Sequence, residues 1–154
     1  MNHRMNTIKR LAFGAAAGVA GTFVMQGLLE SGKKLIPEGT PPMKMDPGEF
    51  MVGKVKSVLP LPPGLESAAV NALRLGYGTT AGLIWALLPH SRWRAAEGAA
   101  LGLAVWAAGY LGWLPATKLM PPITEQTPKQ IAVPVIEHAL FGVAVAKAFE
   151  AMAA

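Results

Sequence analysis

The sequence predicts an all-α integral membrane protein. It reads as a single membrane domain over residues 1–154, a bundle of four transmembrane helices with a short interfacial helix in the first outer loop. Three observations predict this. Hydrophobic residues make up 52% of the chain, the mean hydropathy is +0.36, and charged residues make up only 15%, against about 25% in ordinary soluble domains. The apolar residues gather into four runs, 11–29, 68–88, 95–114 and 131–149. Between the runs stand proline-rich or basic segments that a continuous helix does not cross.

The last run, IAVPVIEHALFGVAVAKAF from Ile131 to Phe149, is the most informative. At 1.5 Å rise per residue it spans roughly 28 Å, about the hydrocarbon thickness of a bilayer. It encloses Glu137 and His138, which are costly in such a segment unless they face protein or water. With no cysteine in the chain, a disulfide framework, a cysteine metal site and a thiol nucleophile are excluded. The net charge of +5 comes from basic residues that flank the apolar runs rather than forming one stripe. That distribution selects anionic lipid headgroups over nucleic acid as the partner.

In chain order, the polar start with Arg4, Lys9 and Arg10 leads into the first helix, 11–29. The apolar run is longer than a signal-peptide core and no small-residue cleavage site follows it, so it is expected to be retained. Gly14 and Gly18 form a GxxxG, which allows a neighbouring backbone to come close. Gln26 and Glu30 share a face near the helix end. Loop 30–66 is broken by seven prolines. Within it Asp46, Pro47 and Glu49 signal a helix start, and a helix of about 47–58 is expected to lie in the membrane interface, with Phe50, Met51, Val55 and Val58 to one side.

The second helix, 68–88, carries Asn71 and Arg74 near its start, then Gly78 and Gly82. A basic turn, Pro89 to Arg94, leads to the third helix, 95–114, with Gly98 and Gly102. Thr127 and Gln130 form a capping box before the fourth, 131–149. Trp85, Trp93 and Trp113 fall near predicted helix ends, where aromatic belts sit. Residues 75–85 also align with 139–149, placing Gly78 on Gly142, Trp85 on Phe149 and Arg74 on His138, as in a parallel repeat of two helical hairpins.

Four crossings put both termini on one side. The segments on that side, 1–10 and 89–94, hold five Arg or Lys in sixteen residues, against seven in fifty-three on the other. The denser side is expected to be cytoplasmic. Gln26, Glu30, Asn71, Arg74, Glu137 and His138 then fall at one depth, as a candidate polar layer in which Arg74 pairs with Glu137. Glycines 14, 18, 78, 82, 98 and 102 are the expected packing positions. No metal or cofactor is expected, since the adjacent Glu-His lacks the spacing of metal-binding helices.

Three pieces carry a resemblance to a known family: the Gly14–Thr22 helix with its proline-rich sequel, the Gly98–Trp106 helix running toward another proline-rich segment, and His138-Ala-Leu-Phe141-Gly142. Together they resemble the YagU-like family of bacterial multi-pass inner-membrane proteins, whose last helix carries a His-x-x-aromatic-Gly pattern. The resemblance implies a bacterial inner membrane and a role in acid tolerance, and supplies no catalytic residues. No Ser/His/Asp, Cys/His or phosphate-loop constellation is present. The expected function is therefore non-enzymatic: an accessory subunit of a membrane complex, or a small helix-packed homo-oligomer. The alternative is a small transporter or channel using the polar layer for proton- or ion-linked movement.

Overall fold

A computed structural model describes residues 6–59, 62 and 64–154; Arg4, Pro60 and Pro63 lie outside that set. Helix α1, Thr7–Leu35, is longer than its apolar run. Asn6 caps it, accepting from the Ile8 N–H at 2.9 Å, and Lys33 and Lys34 sit in its last turn against the carbonyl end of the helix dipole. Nothing breaks the helix until Pro37, which pushes Ile36 out of helical backbone.

Helix α2, Pro47–Lys56, starts where the sequence indicates. Asp46 accepts from the Gly48 N–H at 2.8 Å and the Glu49 N–H at 3.2 Å. Its inward residues differ from expectation. Val52 is buried and Phe50 half-buried, whereas Met51, Val55 and Val58 are exposed. The helix rests against α3, Leu65–Leu87, through Gly48 beside Val70, and that contact turns Val52 inward.

Helix α4, Arg94–Ala107, runs on through a π-helical turn, Ala108–Trp113, into the short α5, Leu114–Ala116. Helix α6, Pro128–Ala153, opens on the Thr127–Gln130 capping box and contains Pro134. Among the described residues every regular element is helical.

Among the described residues, three helical stretches are long and apolar enough to cross a membrane: Thr7–Leu35, Arg94–Ala116 and Pro128–Ala153. Of the four expected spans, the first, third and fourth meet that measure of length and apolarity, and the second, in α3, does not. Helix α3 is long enough, but Asn71, Arg74 and the Gly76–Thr80 stretch dilute its apolar residues. It nevertheless packs along α1, and the helices stand in the order α3, α1, α6, α4, with α1 and α6 in the middle.

Two clusters fill the interior. Ala17, Ala81, Trp85, Phe141, Val145 and Phe149 form the larger one. Trp85 is only 1% exposed, so it is a core residue and not part of an aromatic belt; Trp93 is exposed, as a belt residue would be. The second cluster joins Tyr110, Leu114, Leu119 and Met120 to Met43 and Phe50 of the proline-rich loop and α2. The Lys44 N–H donates to the Leu119 carbonyl at 2.9 Å, so the two long loops close over one end of the bundle as a folded cap.

Candidate functional site

The expected polar layer comes apart into three places. Arg74 does not meet Glu137. Its guanidinium pairs with the Asp46 carboxylate at 2.7 Å. The capping residue of α2 is carried onto α3 by the folded loop, and α3 has little contact with α6. Glu30 and Asn71 are exposed, and Gln26 is half-buried.

Asp46 has a pKa below the usual carboxylate value. Burial alone would raise it, but the Arg74 hydrogen bond and charge and the Glu49 and Gly48 N–H groups together outweigh burial. A depressed folded value means that this contribution is present above the unfolded value, about 3.9, and is lost as pH falls through the folded one. The docking of α2 on α3 should therefore loosen below about pH 4, and Asp46→Asn should abolish that dependence. Both partners keep a third or more of their side-chain surface exposed, so Arg74→Leu should cost only about 1 kcal/mol or less. Amide exchange in α2, followed against pH, measures both effects.

Glu137 is 7% exposed and has no hydrogen bond or ion pair among the described residues. Its carboxylate lies against α1 where Gly32 has no side chain; a Cβ there would overlap it. One residue on, His138 Nδ1 lies 2.8 Å from the Pro134 carbonyl. A carbonyl only accepts, so Nδ1 carries the proton and Nε2 is left as an acceptor when the ring is neutral. The ring also meets Tyr110 edge-on at 5.6 Å. Tyr110 is buried and belongs to the π-helical turn, a feature often found at functional sites. Sequence reasoning missed Tyr110; its one signal is a tyrosine between Gly109 and Gly112 in an otherwise apolar stretch.

The glycines meet in two reciprocal contacts. A Cβ on Gly14 would stand 2.6 Å from both the Ala86 Cβ and the Gly82 carbonyl oxygen, and one on Gly78 would stand 2.7 Å from the Gly18 carbonyl oxygen. In the second contact a Cβ on Gly98 would stand 2.5 Å from the Gly142 carbonyl oxygen, and Gly102 sits against the His138 carbonyl. Gly78 against Gly18 thus recurs as Gly142 against Gly98. Gly78 and Gly142 are the positions the repeat aligns, and Trp85 and Phe149, also aligned, both flank His90. Gly142 escaped the sequence reading as a packing position because no second glycine stands four residues from it on α6, where His138 and Ala146 occupy those places.

No family model, curated protein or solved structure matches the chain.

Proposed function

We propose that the protein is a non-enzymatic multi-pass membrane protein that acts through helix packing, as an accessory subunit or a small homo-oligomer in the bacterial inner membrane. The way its polar side chains are used carries this reading. Thr22 bonds the Gly18 carbonyl at 3.0 Å, Thr80 the Gly76 carbonyl at 2.8 Å and His138 the Pro134 carbonyl, each one turn back on its own helix. Such bonds satisfy a polar group within one helix and leave the helix surface apolar. Outward stand Phe23, Leu73, Ile84, Leu103, Leu111 and Ile136, a surface suited to lipid or to another packed helix. Its resemblance to the YagU-like proteins supports the bacterial inner membrane. Purification in mild detergent with mass photometry tests the reading. A dimer or higher oligomer, or a stoichiometric companion, is the expected result; a lone monomer without companions in native membranes overturns it.

In this proposal α3 is a fourth crossing that depends on α1 for its place. Glycine contacts hold the two together, and Arg74 reaches the capped end of the bundle to pair with Asp46. Four crossings leave Ser91 and the C-terminus cytoplasmic and Gly39 outside, given the dense basic residues of the short turn. Reporter fusions at these three positions check this, and an outside signal at Ser91 overturns it.

A second reading is favoured by one observation, the unpartnered Glu137. A buried intramembrane carboxyl marks ion or proton pathways by default. With His138 and Tyr110 beside it, it would serve a proton- or cation-linked step. Proteoliposomes carrying an internal pH dye test it. Flux lost in Glu137→Gln supports the step, and no flux above empty liposomes removes it.

A further inference from the structure

At the end of the bundle opposite the folded cap, α1 begins, α3 ends, α4 begins and α6 ends around a cleft of about 840 Å³. Leu11, Leu87 and Phe149 form its apolar wall, and Arg10, Arg94 and His90 bring its positive and titratable groups. Arg10 is held in place by donating to the Leu88 carbonyl at 2.7 Å. Neither arginine has an ion pair among the described residues. Glu150 also lines the cleft; its carboxylate is hydrogen-bonded by Lys147 at 2.9 Å and interacts more weakly with the charge of Arg94.

The informative group is His90. Its side chain is 8% exposed, and its ring stacks on Trp85 with centroids 4.1 Å apart. Neither ring nitrogen has a hydrogen-bond partner among the described residues. The Glu97 carboxylate stands 3.7 Å from Nδ1, beyond hydrogen-bond range, and accepts instead from the Ser91 N–H at 3.0 Å. Burial, with Arg10 and Arg94 adding to it and Glu97 and the Trp85 carbonyl opposing, holds the His90 pKa below the usual value; that carbonyl does not meet hydrogen-bond geometry. A buried imidazole with both nitrogens idle is costly and calls for a partner.

We infer that this cleft binds a phosphate ester, the headgroup of an anionic phospholipid, between Arg10 and Arg94, with the His90 ring turning its sealed nitrogens outward to donate an N–H to a phosphate oxygen. Guanidinium groups suit a phosphate through their forked donors. The apolar wall takes the start of the acyl chains, which a free phosphate would leave bare. The inference goes beyond the packing role proposed above. It depends on the membrane only for the source of the ligand, so it can fail while that role stands.

The test uses the full chain, delipidated in a neutral detergent and titrated with phosphatidylglycerol, phosphatidylcholine or soluble glycerol 3-phosphate, with bound species counted by native mass spectrometry. Phosphatidylglycerol should bind about tenfold more tightly than phosphatidylcholine, because choline adds to the same phosphate a cation that Arg10 and Arg94 repel. Arg94→Gln, at a half-exposed site, and His90→Phe, which keeps the stacking, should each erase most of that preference with the helical circular dichroism unchanged. Equal binding of the two lipids, or an unchanged preference in Arg94→Gln, overturns the site. Glycerol 3-phosphate that competes as strongly as the lipid overturns the lipid source and assigns the cleft to a soluble phosphate ester.

Discussion

Gly78→Leu and Gly142→Leu should each separate a helix pair and lower the unfolding free energy in detergent by about 3 kcal/mol, the upper end of the overpacking range. The obstacle to a side chain at these positions is backbone or a buried hydroxyl. At Gly78 a Cβ meets Thr22 Oγ1 and the Gly18 carbonyl; at Gly142 it meets the Gly98 carbonyl and the Gly102 N–H. A flexible side chain could swing aside, but a helix backbone can only move as a body, and in close-packed interiors that opens voids elsewhere. Even Ala should be costly here. Gly27, Gly76 and Gly112 are the controls, because a Cβ at each meets nothing within 4 Å. Ala at these three should be neutral or slightly stabilising, as it removes glycine's excess backbone entropy. Detergent-titrated unfolding of the five variants decides the matter: equal effects for Gly78→Ala and Gly27→Ala would mean that α1 and α3 do not meet through these glycines.

The parts of the fold that local chemistry dictates were legible in the sequence. Thr127 and Gln130 fix the start of α6, and Asp46 with Pro47 fixes the start of α2, because a cap needs only neighbouring residues. Glycine spacing pointed to close contacts, since a bare backbone patch at i and i+4 is itself the contact surface. What was not legible depends on distant partners. Arg74 was matched to Glu137 by depth along each helix, but depth says nothing about azimuth, and the proline-rich loop folds back to present Asp46 first. Trp85 looked like a belt residue by its place near a helix end; its face of α3 decides that it is core. The π-helical turn at Ala108–Trp113 has no cap or breaker to announce it.

The last expectation concerns Glu137, and it reverses what a buried ion pair would give. Removing one member of a buried pair typically costs about 3–5 kcal/mol, because the other charge is stranded. Glu137 has no ion pair to strand: Arg74 is held by Asp46, and Lys33 of α1 acts on its charge only from beyond ion-pair range. It lies at 7% exposure, unbonded, in a helix apolar enough to cross a membrane. An unsatisfied buried polar group costs about 1–3 kcal/mol, so Glu137→Leu should raise stability by about that amount rather than lower it. The isosteric Glu137→Gln should change it less, since an amide still needs partners. A double-mutant cycle between Arg74→Leu and Glu137→Leu should be additive within about 0.5 kcal/mol, as expected of residues with no shared partner. Coupling well beyond that would mean that Arg74 leaves Asp46 for Glu137 in the membrane. The same variants separate the two readings of function. If the protein acts only through packing, a more stable Glu137→Leu should keep its oligomeric state and its companions. If Glu137 serves a proton- or cation-linked step, the stabilised variant should be well folded and inactive, because a carboxyl that weakens the bundle persists there for its charge.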